Sequence, residues 1–257
     1  MKTRASAFLF LFALLLSSPL LAAWTSVSSA KPLWLAGGSG SSLFAAETGA
    51  LYASADSGKT WQALAGPGIS GPYSVLSFTN NQVWVGTQAQ GAAYSGNSGG
   101  SWTTSNSGML NPLTKVAQMI NAISTVPASA TQLVAAMNSG VYISADGGGT
   151  WKTSLQGLPS IAGPLPGTQV TTPVYDVAGA AGGVFAATDT GVYRSNDGGA
   201  TWAVQGLSGS KVSRLSASGS DVYAVVDGVG LYKYSGSGSW VQLTGIPAVP
   251  FTVLAHP

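Results

Sequence analysis

The chain has 257 residues, 7% charged and 45% hydrophobic, with 35 glycines, 13 prolines, one histidine and no cysteine. This composition excludes disorder by self-repulsion, disulfides and thiolate metal sites, and its turn formers favour short strands over helices. The lone histidine, His256, stands next to the last residue, so Ser/His/Asp catalysis has little to build on.

Residues 1–23 open with Lys2 and Arg4, pass through an apolar run at 7–16, and close on Ala22 and Ala23. That is the order of a secretory signal peptide, and the run is shorter than the ~20 residues needed to cross a bilayer. The expectation is a cleaved leader, 1–23, and a secreted or periplasmic chain, 24–257, with no membrane span; an uncleaved anchor is the alternative. Without 1–23, eight basic residues face eight acidic ones. So balanced a surface releases few counterions from a phosphate backbone, and nucleic acid is not an expected partner.

Internal repeats dominate the remainder. Aligned on tryptophan, four segments read Ser54-Ala-Asp56-Ser-Gly58-Lys-Thr60-Trp61, Ser95-Gly-Asn97-Ser-Gly99-Gly-Ser101-Trp102, Ser144-Ala-Asp146-Gly-Gly148-Gly-Thr150-Trp151 and Ser195-Asn-Asp197-Gly-Gly199-Ala-Thr201-Trp202. A fifth, Ser235-Gly-Ser-Gly-Ser-Trp240, is two residues shorter and lacks the acid; Trp24 reads as the tail of a sixth unit. From Trp24 the separations are 37, 41, 49, 51 and 38 residues, close to the about 40–50 of a four-stranded propeller blade.

Upstream of each motif lies a hairpin pattern, such as 42–47 followed by 50–52, or 184–189 followed by 192–193. Another apolar stretch comes first, as in Val75-Leu-Ser-Phe78, Val174-Tyr-Asp-Val177 and Val212-Ser-Arg-Leu215. Short β-branched and aromatic runs bounded by Gly, Asn or Asp are strands with turn signals. Each unit then holds four strands, a to d, and the expected fold is all-β: a β-propeller of four-stranded antiparallel blades.

In the tryptophan motif, the Asp carboxylate can accept backbone N–H bonds in the tight turn after strand c, and the next Gly supplies a positive φ. A buried Trp removes about 150–250 Å² from water, a gross stabilisation of up to about 4–6 kcal/mol. Six of the eight tryptophans hold this one position, which reads as packing. These segments resemble the Asp-box, or BNR, repeat Ser-x-Asp-x-Gly-x-Thr-Trp. It occurs in sialidases, xyloglucan-degrading enzymes, sortilin-type receptor domains and photosystem II stability/assembly factors. The resemblance spans most of the chain after residue 23 and implies the propeller fold. It implies no single activity, because those relatives do unrelated things on one fold.

In such a sheet the a–b and c–d turns share one end, and the b–c and d–a turns share the other. The motifs are c–d turns and so lie opposite Glu47, Asn138, Asp189 and Asp227; in the family resembled, too, they lie away from the active site. The longest connections, 62–74, 103–117 and 152–172, are d–a loops, and long loops on a rigid scaffold are where function concentrates. The b–c/d–a face is therefore the candidate binding face, with Glu47, Tyr73, Trp84, Met109, Lys115, Asn138, Asp189 and Asp227. The competing reading is that the four polar residues only make turns, and that Trp34 and Trp84 are core.

A sialidase-type site needs three arginines and a tyrosine–glutamate pair, whereas after residue 23 only Arg194, Arg214 and a single glutamate, Glu47, remain. Glycoside hydrolysis needs two carboxyls about 5–9.5 Å apart; Asp176 is the best single candidate, and no partner for it is evident. Metal ligation lacks His and Cys, calcium-loop spacing is absent, and the glycines open no helix that could cradle phosphate. The reading is a non-enzymatic, cofactor-free scaffold that binds a protein partner, with a carbohydrate-binding propeller or degenerate glycoside hydrolase as the alternative. Trp24 looks like a stray strand d and residues 250–255 like a stray strand a. The ring either closes with five blades, the preferred expectation, or is a shortened relative of a larger propeller, or takes strands from a partner by edge addition.

Overall fold

The computed structural model describes residues 34–47, 49–70, 72–79, 81–111, 114, 116–163, 169–236 and 238–245, and of Trp34 and Leu35 the backbone alone. The expected leader, Trp24, Lys115, the 250–255 strand and His256 lie outside these residues.

Five four-stranded antiparallel sheets follow one another along the chain. Blade 1 is β1 (Trp34–Gly37), β2 (Leu43–Ala46), β3 (Leu51–Ser54) and β4 (Gln62–Ala63). Blade 2 is β5 (Tyr73–Thr79), β6 (Gln82–Thr87), β7 (Ala92–Ser95) and β8 (Thr103–Thr104). Blade 3 is β9 (Ile120–Thr125), β10 (Leu133–Met137), β11 (Gly140–Ser144) and β12 (Lys152–Ser154). A separate hairpin, β13 (Ser160–Ala162) with β14 (Gln169–Thr171), follows. Blade 4 is β15 (Val174–Ala180), β16 (Gly183–Thr188), β17 (Gly191–Ser195) and β18 (Ala203–Gly206). Blade 5 is β19 (Val212–Ser218), β20 (Asp221–Val226), β21 (Gly230–Tyr234) and β22 (Trp240–Gln242). No helix occurs among the described residues.

The inner strands β1, β5, β9, β15 and β19 pack side by side in that order, as in a β-propeller, and no comparable packing joins β19 back to β1 among the described residues. The expected closure on five blades is thus not seen among the described residues. Alternating side chains give each sheet two apolar faces, and neighbouring blades share a core. Phe44 and Ala46 meet Val83 and Val85; Trp84 and Ala92 meet Leu133, Ala135 and Met137. Val134 and Ala136 meet Val184 and Ala186, and Phe185 and Ala187 meet Val222, Ala224 and Val226.

The tryptophan motifs close the c–d turns. Ser54 Oγ accepts from Gly58 N (2.8 Å) and donates to Asp56 Oδ1 (2.7 Å), which also accepts Thr60 N (2.9 Å). The same bonds recur at Ser144, Asp146, Gly148 and at Ser195, Asp197, Gly199. Asn97 substitutes without charge: its Oδ1 accepts Ser95 Oγ and Ser101 N, and Gly99 N donates to Ser95 Oγ. In blade 5, strand register places Tyr234, not Ser235, opposite Val222, where the other blades put the motif serine.

These bonds hold the Asp56 and Asp146 carboxyls down at about 2, Thr60 and Thr150 being the leading donors, and hold Asp197 lower still. Their stabilisation is present above the ordinary carboxylate pKa and is lost as pH falls through the folded value. Thermal melting should therefore drop between pH 4 and pH 2. The triple variant Asp56→Asn, Asp146→Asn, Asp197→Asn should flatten that drop, since Asn97 already shows that an amide fits the turn.

The tryptophans also join blades. Ser105 Oγ donates to Gly148 O and accepts Trp151 Nε1 (2.9 Å), and Trp151 N donates to Ser107 O (2.8 Å). One blade on, Ser154 Oγ donates to Gly199 O and accepts Trp202 Nε1 (3.0 Å), and Trp202 N donates to Gln156 O. Each serine lies three residues after the preceding blade's tryptophan. At the two outer junctions that place is held by Leu64 and Gln205, and the buried Trp102 and Trp240 Nε1 atoms find no acceptor. Losing an indole bond to a buried hydroxyl costs about 1–2 kcal/mol. Urea unfolding should accordingly find Trp151→Phe more costly than Trp102→Phe by that margin.

Candidate functional site

The second residue of the inner strand is bulged out of register in blades 2 to 5, at Ser74, Asn121, Tyr175 and Ser213. A bulge re-aims a side chain while leaving the flanking ladder intact. In blades 2 and 3 the bulged side chain ties to the next inner strand: Ser74 Oγ donates to Ile120 O (2.6 Å) and Asn121 Nδ2 to Val174 O (2.7 Å). Asn121 Nδ2 also reaches Asn138 Oδ1 on the b–c turn (3.0 Å).

Blade 4 departs from this pattern. Tyr175 turns its hydroxyl to Asp189 Oδ1 on its own b–c turn (2.8 Å), and Lys211, at the mouth of β19, sets its ammonium 4.8 Å from the Tyr175 ring centroid. Lys211 Nζ pairs with Asp227 Oδ2 at 3.3 Å. The cluster Tyr175–Asp189–Lys211–Asp227 thus bridges blades 4 and 5 at the b–c/d–a end. Burial, then the Asp189 carboxylate accepting from the hydroxyl and the charge on Asp227, push Tyr175 up to about 12, so it is a donor throughout the physiological range.

Beneath it, Asp176 Oδ2 accepts Leu215 N of blade 5 (2.9 Å) and its Oδ1 accepts Val177 N (2.8 Å). Desolvation among the inner strands pushes Asp176 up to about 6, against the two backbone bonds and the Arg214 charge, which pull it down. A raised folded pKa means its contribution is intact below the unfolded value and is lost as pH rises through about 6. The residue keeps some solvent contact, so the loss is about 1–3 kcal/mol. Asp176→Asn should remove that part of the fall in urea midpoint between pH 4 and pH 7.

The expected site residues divide. Asn138, Asp189 and Asp227 stand at the b–c turns and each carries a side-chain partner; Glu47, in the same place, accepts Tyr52 Oη at 3.4 Å. Only Asp189 and Asp227 are brought into one cluster. Trp84, Tyr73 and Met109 are corrections. Trp84 is fully buried between blades 2 and 3, stacked on Tyr94 (4.7 Å) and edge-on to Trp151 (6.2 Å). Tyr73 and Met109 are 6% and 3% exposed, packed in the same inter-blade cores, and none of the three can meet a ligand at the surface. Tyr175, Lys211 and Asn121 were missed. Aligning the inner-strand runs would have flagged the bulge position, where Ser, Asn, Tyr and Ser replace the apolar alternation.

The hairpin β13–β14 stands in the loop between blades 3 and 4, with Thr171 and Leu155 beside Gly140 of the blade 3 b–c turn. Ile161 and Val170 face each other across it, 62% and 46% exposed. With Val116, Leu155 and Val229, these make five of the seven large exposed apolar residues described, all on d–a or b–c connections. The other two, Val204 and Val241, lie on the outer strands β18 and β22 just after the motif tryptophans. Among the described residues no three His, Cys, Asp or Glu side chains cluster to hold a metal, and no helix is long and apolar enough to cross a membrane.

No known family and no curated protein matches the chain. Solved structures match its fold. An ancestral GH74 enzyme aligns at 19% identity with a TM-score of 0.59, covering 86% of this chain and 31% of its own. YCF48 bound to D1 peptide aligns at 16% identity and 0.56, covering 83% and 68%. The computationally designed Ika8 protein aligns at 16% and 0.58, covering 87% and 64%. The chain thus spans about a third of the GH74 enzyme's length. At these identities the likeness is one of fold.

Proposed function

We propose that this protein is an exported, non-enzymatic Asp-box propeller that binds a protein partner through its b–c/d–a end. The leader-like residues 1–23 support export, and the four Ser-x-Asp/Asn-x-Gly turns support the Asp-box assignment. The observation that carries the binding reading is that five of the seven large exposed apolar side chains described, Ile161 and Val170 among them, lie on connections of the end that also carries the Tyr175–Asp189–Lys211–Asp227 cluster. An apolar patch with a polar, hydrogen-bonding border has the make-up of a protein interface. That YCF48 is described with a bound D1 peptide supports a propeller of this shape holding a polypeptide. Of the two tryptophans outside the motif position on which a glycan could stack, Trp34 and Trp84, the second is buried and the side chain of the first lies outside the described residues.

The test is affinity capture of the tagged full-length protein after in-cell cross-linking. A stoichiometric protein partner should be recovered by the parent and lost with Ile161→Asp combined with Val170→Asp. Both positions are exposed, so the variant should melt like the parent. Recovery of polysaccharide, or of a partner indifferent to both substitutions, would refute the reading.

A further inference from the structure

The hairpin β13–β14 is a two-stranded sheet with no third strand among the described residues. Two paired strands alone are marginal in water, and a third strand or a packed face is what stabilises them. One bond fixes the phase of this pair. Thr172 N donates to Pro159 O (3.0 Å), so Ile161 and Val170, two places on, exchange main-chain bonds with each other. Ser160 and Ala162, on either side of Ile161, then turn their N–H and C=O groups to the outer edge of β13. Neither bonds any other described main-chain group. All three residues of β13 are exposed, whereas Thr171 of β14 lies beside Gly140 of the blade 3 b–c turn.

Exposed edges are normally guarded against strand pairing. The outer strands of the blades are: β4 and β8 are two residues long, β12 opens on Lys152, β18 is bulged between Val204 and Gly206, and β22 sets Val241 opposite Lys233. The β13 edge has none of these guards. From 153 to 174 the chain carries no ionisable side chain, and Pro159 falls in the inward phase, so the outward donors are intact. A free main-chain edge beside an exposed apolar side chain is the footing for strand addition, in which main-chain bonds give affinity and alternate side chains give selectivity. A second copy of this chain is the poorer occupant. Two three-residue edges supply only a small part of the about 800 Å² per partner that a stable interface buries. An extended segment can instead pair with β13 and run on over the same end of the propeller.

We propose that the outer edge of β13 captures an extended segment of the protein partner as an added antiparallel strand, an inference that rests on the reading that the b–c/d–a end binds a protein. Ser160 and Ala162 each exchange two main-chain bonds with the segment. The segment residue between those bonds stands opposite Ile161 and is uncharged and β-branched, so that it continues the row of Val170 and Ile161 across the sheet. A charge at that place would find no counter-ion on the hairpin.

The probe is the peptide acetyl-Ser-Thr-Val-Thr-Ser-amide, whose Val stands opposite Ile161, and the readout is amide exchange by NMR on the intact protein. Saturating peptide should slow exchange at Ser160 and Ala162 at least about tenfold and leave Ile161, already bonded within the hairpin, unchanged. The same peptide N-methylated at both threonines lacks the donors that face β13 and should have no effect. In capture of the protein partner, Ala162→Pro deletes an outward N–H but no hairpin bond and should lose the partner, while Ala162→Val keeps that N–H and should retain it. No protection at millimolar peptide, or protection indifferent to N-methylation, would overturn the proposal. A partner retained by Ala162→Pro would overturn it too, with the binding end itself still standing; a parent protein that captures no partner would instead overturn the reading of that end. Protection of Ser160 and Ala162 that grows with protein concentration in the absence of peptide, alongside a dimer in sedimentation, would place a second copy on the edge and contradict the proposal.

Discussion

Gly157→Ala is expected to destabilise the protein by about 3–5 kcal/mol, read as a fall in urea midpoint with unchanged slope. Gly157 sits at φ +87°, and a Cβ there would lie 2.0 Å from the Trp202 carbonyl oxygen. The contact is with backbone, so no rotamer change relieves it. The loop must retreat, and with it goes the bond from Trp202 N to Gln156 O that docks blade 3 on blade 4. Gly108 repeats the arrangement one junction earlier, at φ +88° and 1.9 Å from the Trp151 carbonyl, so Gly108→Ala should cost a similar amount. Gly209 is the control. Its φ is +77° but nothing lies within 4 Å of a Cβ there, so Gly209→Ala should cost only the about 1–2 kcal/mol of left-handed backbone strain. Equal losses at all three glycines would show that close approach to the next tryptophan is not what these positions serve.

Trp151→Ala should cost about 3–5 kcal/mol. The indole is 3% exposed in the core shared by blades 2 and 3, edge-on to Trp84, and its Nε1 is held by Ser105. Truncation leaves a cavity that the rigid strands on either side cannot close, and it removes one half of the Ser105 clasp. Ser105→Ala alone should cost about 1–2 kcal/mol, because it strands a buried indole N–H. The double variant should cost less than the two singles together, since the hydroxyl and indole act as a pair. Simple additivity would contradict the clasp. Ser154 and Trp202 provide an independent repeat of the same cycle.

The strands and their turns were legible in the sequence because each carries a local signal. Short β-branched and aromatic runs such as Val83-Trp-Val mark strand b, and a Gly-bearing turn fixes where strand c begins. The tryptophan motif was equally plain, since all its bonds fall within seven residues. What was not legible depends on contacts between blades. Trp84 was placed with the binding face because it lies outside the tryptophan motif. Yet it holds the strand b place filled by Phe44, Val134 and Phe185, all facing the next blade. The pairing of Tyr175 with Asp189 and Lys211 joins three connections and has no spacing rule to announce it. The hairpin β13–β14 was hidden in a long loop, because runs of three residues near Pro159, Pro164 and Pro166 look like connection rather than strand. The fifth motif was read one residue late because Tyr234 stands where serine was sought.

The central claim is that the protein works through its b–c/d–a end. A photo-crosslinking residue placed in turn at Ile161, beside the apolar patch, and at Lys59, on the motif end of blade 1, tests it in cells. Both positions are exposed, so neither substitution should disturb the fold. The account predicts a discrete protein adduct from position 161 and none from position 59. An adduct from position 59 alone, or no protein adduct from either, would contradict it.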